Sequence, residues 1–208
     1  MSRTALPPSG GRRIQTRRSG VHGKGVFAAQ DIAEGETIIE YVGEIITWQQ
    51  AQDRHPHDPA QPNHTFYFHV DEDRVIDANY GGNSSRWINH SCAPNCYTDE
   101  REGRIFITAL RNIAAGEELS YDYGLIIDEP YTRKLKAEYP CWCGADSCRG
   151  TLLAPKRGWR PPMPGDAQPA ASAAASSDKQ TAGKRKQGTK PSRPKAKTKA
   201  KAKPKDRA

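Results

Sequence analysis

Three cysteines, Cys141, Cys143 and Cys148, fall within eight residues at a C-x-C-x4-C spacing. Three soft ligands need a fourth to close a tetrahedral metal site. Cys92 and Cys96 are the only other cysteines, and both lie in Arg86-Trp87-Ile88-Asn89-His90-Ser91-Cys92-Ala93-Pro94-Asn95-Cys96. The spacing implies a zinc ion joining two segments about fifty residues apart, and it leaves the fourth ligand open between Cys92 and Cys96. Four thiolates leave no position for water, so such a zinc would be structural. A second stretch with chemical potential is Glu118-Leu119-Ser120-Tyr121-Asp122-Tyr123-Gly124.

The chain around these motifs has 208 residues, enough for one domain with a core and extra segments. Its net charge of +8 is unevenly placed: residues 178–208 hold thirteen Lys and Arg against Asp178 and Asp206, leaving 19 basic and 22 acidic residues elsewhere. A mildly acidic body with a basic tail is the result. No apolar run is long enough for a signal peptide or membrane span, so an intracellular protein with reduced thiols and no membrane partner is expected.

The elements that must position the motifs are short. Thr37–Val42, Thr65–Val70, Arg74–Asp77 and Arg104–Ala109 are β-branched and aromatic runs between turn residues, and read as strands. Connections this brief have no room for crossover helices, which predicts mainly antiparallel sheets. Helices are expected only near Thr47–Arg54, with Thr47 as N-cap, and near Tyr131–Glu138. Residues 53–64 read as an exposed loop, and His55, His57 and His64 within it as solvated rather than metal-binding; His22 and His69 carry no functional pattern either. An internal echo, residues 28–36 against 109–117, reads as one turn type used twice. No G-x-G-x-x-G follows a strand and opens a helix, which disfavours a Rossmann nucleotide site.

Taken in order, Gly23-Lys24-Gly25, Tyr41-Val42-Gly43, residues 86–95, residues 118–123 and the cysteine cluster resemble the SET-domain protein-lysine methyltransferases that carry a C-terminal post-SET zinc segment. The resemblance runs from about Arg12 to Leu153. It implies a mainly β, β-clip-like SET fold of several small antiparallel sheets, a threaded C-terminal segment and few short helices. The domains would be a leader at 1–11, the SET domain at 12–124, a linker at 125–136, the post-SET segment at 137–153 and a disordered Pro/Ala/Lys-rich tail at 154–208.

The resemblance also implies roles. Tyr123 would be the catalytic tyrosine, Tyr121 the position that sets how many methyl groups are added, and Tyr41 and Phe66 further walls of the lysine channel. S-adenosylmethionine would be held by Lys24, Gly25, Arg86, Asn89, His90 and Tyr123, with Trp142 and Leu152 covering it. The zinc ligands would be Cys92, Cys141, Cys143 and Cys148, because the family places its ligand directly after Asn-His-Ser. A hydroxyl at Tyr121 leaves less room for a second methyl, so mainly monomethylation is expected. The substrate would be a basic, lysine-rich, histone-like protein, drawn by the acidic body. Competing readings are a ribosomal or other non-histone target and a non-catalytic module tethered to nucleic acid. Residues 184–207 would contact nucleic-acid phosphates without sequence preference, serve as a localisation address, or be methylated themselves.

Overall fold

The computed structural model describes residues 12–55, 65–71 and 73–166. The expected leader, residues 56–64 of the expected loop and the basic stretch 184–207 lie outside the described residues. Four small sheets make up the described chain. Strands β1 (Ile14–Arg18) and β2 (Lys24–Ala28) form an antiparallel pair. A second sheet has β3 (Thr37–Tyr41) beside β9 (Arg104–Ala109) beside β8 (Cys96–Arg101), and a third has β4 (Glu44–Thr47) beside β6 (Arg74–Asp77) beside β5 (Tyr67–His69). In the fourth, β7 (Asn89–His90) runs parallel to β10 (Ser120–Tyr121).

The best-patterned runs fold as expected because their apolar residues have somewhere to go. Ile105, Ile107 and Ala109 of β9 are buried, and β9 is the central strand of its sheet. The β8–β9 hairpin closes through Glu102 and Gly103, both at positive φ (54° and 75°), as a twist-compatible two-residue turn requires. Helix α1 (Trp48–Arg54) starts at a full capping box: Thr47 Oγ1 accepts the Gln50 N–H at 3.2 Å and Gln50 Oε1 accepts the Thr47 N–H at 2.9 Å. Helix α2 (Arg133–Glu138) is capped by Thr132 and crosses the boundary expected between linker and post-SET segment. Strands β1, β4 and β8 escaped the sequence reading because they are polar or carry only one buried residue; β2 escaped it too, although Gly25, Val26 and Ala28 are buried.

The two echoing segments face one another rather than merely repeating. Ile32 and Ile113 exchange backbone hydrogen bonds of 2.9 Å in each direction. Asn112 Oδ1 accepts the Glu34 N–H at 2.9 Å, and the matching Asp31 Oδ1 accepts the Ala115 N–H at 2.8 Å. Gly35 donates to Ala109 O and Gly116 to Ala28 O, at 2.9 and 2.8 Å. The pair thus forms a local pseudo-two-fold unit. Its isoleucines are part of the main core, with Val26, Ile88, Ile107, Leu119 and Tyr121.

That unit holds the C-terminal ends of β2 and β9, and so delivers residues 118–124 alongside residues 88–91. The parallel pairing sets Ser120 opposite Asn89 and Tyr121 opposite His90. The chain then returns: Leu125 pairs with Leu153, Pro140 with Thr151, and the Ala154 N–H reaches Leu125 O at 2.8 Å. These contacts close residues 139–152 into a loop that contains Cys141, Cys143 and Cys148.

Candidate active site and cysteine centre

Tyr41, Tyr121 and Tyr123 meet at one place, from the end of β3, from β10 and from the turn after it. The Tyr121 and Tyr123 ring centroids are 5.0 Å apart, and Phe68 stands 5.3 Å from Tyr41 and 6.4 Å from Tyr121. Tyr41 and Tyr121 are buried; Tyr123 is 42% exposed. The Tyr41 hydroxyl donates to Phe66 O and the Tyr123 hydroxyl to Ile88 O, both at 2.9 Å. With each proton given to a carbonyl, the oxygen lone pairs of both hydroxyls are left as acceptors. Burial raises the pKa of all three phenols; neighbouring tyrosines add to it for Tyr41 and Tyr121, and Cys141 and Glu118 for Tyr123. They stay neutral at physiological pH, so none of them is a resting phenolate base.

Beside this cluster, Asn89 ties three segments together. Its Nδ2 lies 3.0 Å from Lys24 O, 3.3 Å from His22 O and 2.8 Å from Glu118 Oε1. Ser19 Oγ donates to the same carboxylate at 2.7 Å. Gly25 is needed here: a Cβ on it would lie 2.2 Å from Glu118 Oε1. In the described chain the close approach at Gly25 is made by a side chain of the protein itself. The Lys24 ammonium lies 4.6 Å from the Trp87 ring centre and the Arg86 guanidinium 4.7 Å, with the Phe66 ring edge-on to Trp87 at 4.9 Å. Arg86 also donates to Ala78 O at 3.0 Å, which anchors the segment that ends in Asn89.

His90 is buried, and burial lowers its pKa to about 4, more than Asp122 raises it. The neutral ring accepts the Tyr123 backbone N–H on Nδ1 at 3.2 Å, which places its proton on Nε2, 3.4 Å from Cys92 Sγ. Asp122 Oδ1 is 3.6 Å from Nδ1, an acceptor facing an acceptor, and forms no ion pair with the neutral ring.

The sulfur atoms of Cys92, Cys141, Cys143 and Cys148 all lie within 4.8 Å of one another. Tetrahedral zinc with bonds near 2.3 Å needs sulfurs about 3.8 Å apart, and the Cys92–Cys141 distance is 3.8 Å. That separation is far beyond disulfide bonding, and all five cysteines are free. Backbone N–H groups of Arg149, Cys92 and Gly150 point at Cys92, Cys143 and Cys148 sulfurs at 3.4–3.5 Å, as around metal thiolates. Burial pushes the Cys92 thiol up to about 11; for Cys143 burial is outweighed by the Cys92 and Ala145 N–H groups, which hold it at about 7. The donor set fits zinc. Cys96 lies elsewhere, fully buried at the start of β8 with its sulfur on Asn95 Oδ1, and burial raises it to about 12.

Not every expected residue joins these two centres. Trp142 is 64% exposed, and Leu152 gives its N–H to Tyr139 O while its neighbour Leu153 is the buried one. Three residues of the site had no assigned role: Glu118, which joins Asn89 to Ser19, and Asp122 and Arg149, which link the two centres. Asp122 takes Arg149 on both oxygens, at 2.6 and 3.0 Å, which holds its carboxyl below the usual range although burial opposes this. The sequence signal for this pair was there, an Asp between two motif tyrosines and an Arg after the last cysteine, but neither has meaning until the segments meet.

Comparison with known proteins agrees with this geometry. Residues 23–124 match the family model described as the SET domain, and the chain carries a SET domain over that region. It is 43% identical over 140 residues to the histone-lysine N-methyltransferase trr of Drosophila melanogaster, and 38% identical over 146 residues to the histone-lysine N-methyltransferase SETD1B of Homo sapiens. It is also 37% identical over 146 residues to the histone-lysine N-methyltransferase set1 of Dictyostelium discoideum. These alignments take in 65%, 68% and 68% of this chain but only 6%, 7% and 9% of the relatives, so the chain spans a small fraction of their length. No helix among the described residues is long and apolar enough to cross a membrane.

Proposed function

We propose that the protein is an S-adenosylmethionine-dependent protein-lysine N-methyltransferase that acts on basic, lysine-rich proteins of the histone type. The observation that carries this reading is the pair of neutral tyrosine hydroxyls, Tyr41 and Tyr123, whose protons are committed to backbone carbonyls. Outward lone pairs suit a partly positive methyl carbon and the N–H groups of an amine. The relatives' names support the same substrate class.

S-Adenosylmethionine supplies, when bound, an electrophilic methyl group on a sulfonium. A surface depression of about 550 Å³, lined by Thr16, Arg17, Arg18, Gly23 and Lys24, adjoins the turn that Asn89 holds. Its cations, Arg17, Arg18 and Lys24, suit a carboxylate. Lys24, Gly25, Arg86, Asn89 and His90 would hold the donor, Trp142 and Leu152 would cover it, and Tyr123 would face the transferring group.

A free lysine amine has a pKa near ~10.4, so only roughly one in a few thousand is neutral at pH 7. Aromatic walls formed by Tyr41, Phe66 and Tyr121 penalise the ammonium and favour the neutral amine. The proton leaves to solvent, because the three phenols are not ionised. Alignment of amine and methyl contributes on the order of several kcal/mol more. Tyr121 would restrict the product mainly to monomethyl-lysine. Zinc on Cys92, Cys141, Cys143 and Cys148 would be structural, holding residues 139–153 against the site.

Residues 184–207 would add nucleic-acid contact, supported by their charge alone; retention on immobilised DNA that does not fall steeply with salt argues against it. The enzymatic reading is tested by methyl transfer to a mixture of purified basic proteins, with Tyr123→Phe beside the wild type. Turnover that the substitution reduces about a hundredfold or more supports it. Absence of wild-type turnover, together with no calorimetric signal for the methyl donor, overturns it.

A further inference from the structure

We propose that Trp159 is a positioning residue for Tyr123. It would be the outer member of a clasp, Trp159–Asp122–Arg149, that fixes the turn carrying that tyrosine and ties it to the cysteine-rich segment. The inference rests on the methyltransferase reading, since the geometry it concerns is that of the same site. Trp159 lies in residues 154–166, which the sequence assigned to the tail and which follow the matched SET domain.

The Tyr123 ring packs on the Tyr121 ring at 5.0 Å and the His90 ring at 5.3 Å, yet is 42% exposed, so packing holds only one side of it. The rest of its aim depends on the hydroxyl bond to Ile88 O, on the bond from its backbone N–H to His90, and on the backbone of Asp122-Tyr123-Gly124. Gly124 has φ +61°, in the left-handed region, and glycine is the residue freest to leave any one conformation. What covers that weak link is the Trp159 indole. A Cβ on Gly124 would lie 2.2 Å from Trp159 Cη2 and 2.6 Å from Cζ2, so the ring occupies the space a side chain would fill.

Asp122 completes the clasp. Its Oδ1 accepts the Gly124 N–H at 3.0 Å, which folds the turn around Tyr123. Arg149 grips both carboxylate oxygens, and the indole N–H approaches Oδ2 at 3.5 Å, a weak third contact. The Arg149 backbone N–H in turn points at Cys92 Sγ at 3.4 Å. One carboxylate therefore collects donors from the tyrosine turn, the cysteine-rich segment and the segment that follows it. Ring packing on Gly124 is the larger contribution of Trp159, because the 3.5 Å bond is at the limit of useful geometry.

The test is steady-state kinetics of the full chain as wild type, Trp159→Ala and Trp159→Phe on purified histones, with thermal midpoints measured alongside. Trp159→Ala is expected to lower kcat on the order of tenfold, the scale of a small misplacement of a reacting group, with KM for the protein substrate and the midpoint unchanged. Trp159→Phe keeps a ring over Gly124 and should recover most of kcat. An unchanged kcat in Trp159→Ala overturns the clasp while leaving the methyltransferase reading intact. So does a loss that both variants share equally and that follows a lowered midpoint, which marks a merely structural residue. If the wild type itself transfers no methyl group, the enzymatic reading falls and the clasp falls with it.

Discussion

At the scale of single residues, the proposed chemistry turns on where two hydroxyl protons are held. Tyr41 and Tyr123 give theirs to Phe66 O and Ile88 O, and burial keeps these phenols and that of Tyr121 from ionising. Tyr121 differs in being assigned to restrict space rather than to face the methyl group. Replacing it with Phe removes one oxygen from a buried, crowded position 5.0 Å from the Tyr123 ring. Tyr121→Phe is therefore expected to shift the product from monomethyl-lysine toward dimethyl- and trimethyl-lysine. Mass spectrometry of methylated histone peptides checks this, and an unchanged product distribution removes Tyr121 from that role.

At the scale of elements, the paired turns of residues 28–36 and 109–117 hold the strands that deliver the site. Glu117 is the titratable anchor of the second turn. It pairs with Arg111 and accepts Asn95 Nδ2 at 3.0 Å. Burial raises its pKa, but Arg111 and Asn95 outweigh this and hold the carboxyl below its ordinary value of 4.5. A depressed folded-state pKa stabilises the fold above the unfolded value, and that contribution is lost as pH falls through the folded value. The effect should be modest, because the Glu117 side chain is still 30% exposed. Glu117→Gln should therefore lower the thermal midpoint at pH 6, and the difference should shrink as the pH is taken below the ordinary carboxyl value of 4.5. A midpoint difference that does not shrink on acidification contradicts the assignment.

At the scale of the whole described chain, two centres depend on each other. His90 bonds Tyr123 through one ring nitrogen and faces Cys92 through the other, while Arg149 joins Asp122 to the thiolate cluster. Removing zinc would leave Cys92, Cys141, Cys143 and Cys148 without the cation their arrangement suits, and would leave residues 139–153 held chiefly by the Arg149–Asp122 pair and the Leu125–Leu153 pairing. Chelation is expected to abolish methyl transfer through local unfolding, with hydrogen exchange rising in residues 139–153 and staying low in β3, β8 and β9. Retained turnover after verified metal removal would contradict a structural zinc.

Much was legible in the chain because it depends on neighbours in sequence. The N-cap at Thr47, the strands at Arg74–Asp77 and Arg104–Ala109 and the cluster at Cys141–Cys148 each need only a few adjacent residues. Their chemistry is written in spacing, which local hydrogen bonding and side-chain direction decode. The tertiary structure alone decided what distant residues do together. It set Ser120-Tyr121 parallel to Asn89-His90, although two-residue strands have no periodicity to read. Glu118 became the reason for Gly25, and it bonds Ser19 from 99 residues away. Spacing left Cys92 and Cys96 open and the family resemblance chose Cys92, which does lie with the three later cysteines; that Trp159 lies over Gly124 had no such pointer. Such contacts form only once long loops have closed, and which ones form is fixed by how the core packs, a quantity no local pattern contains.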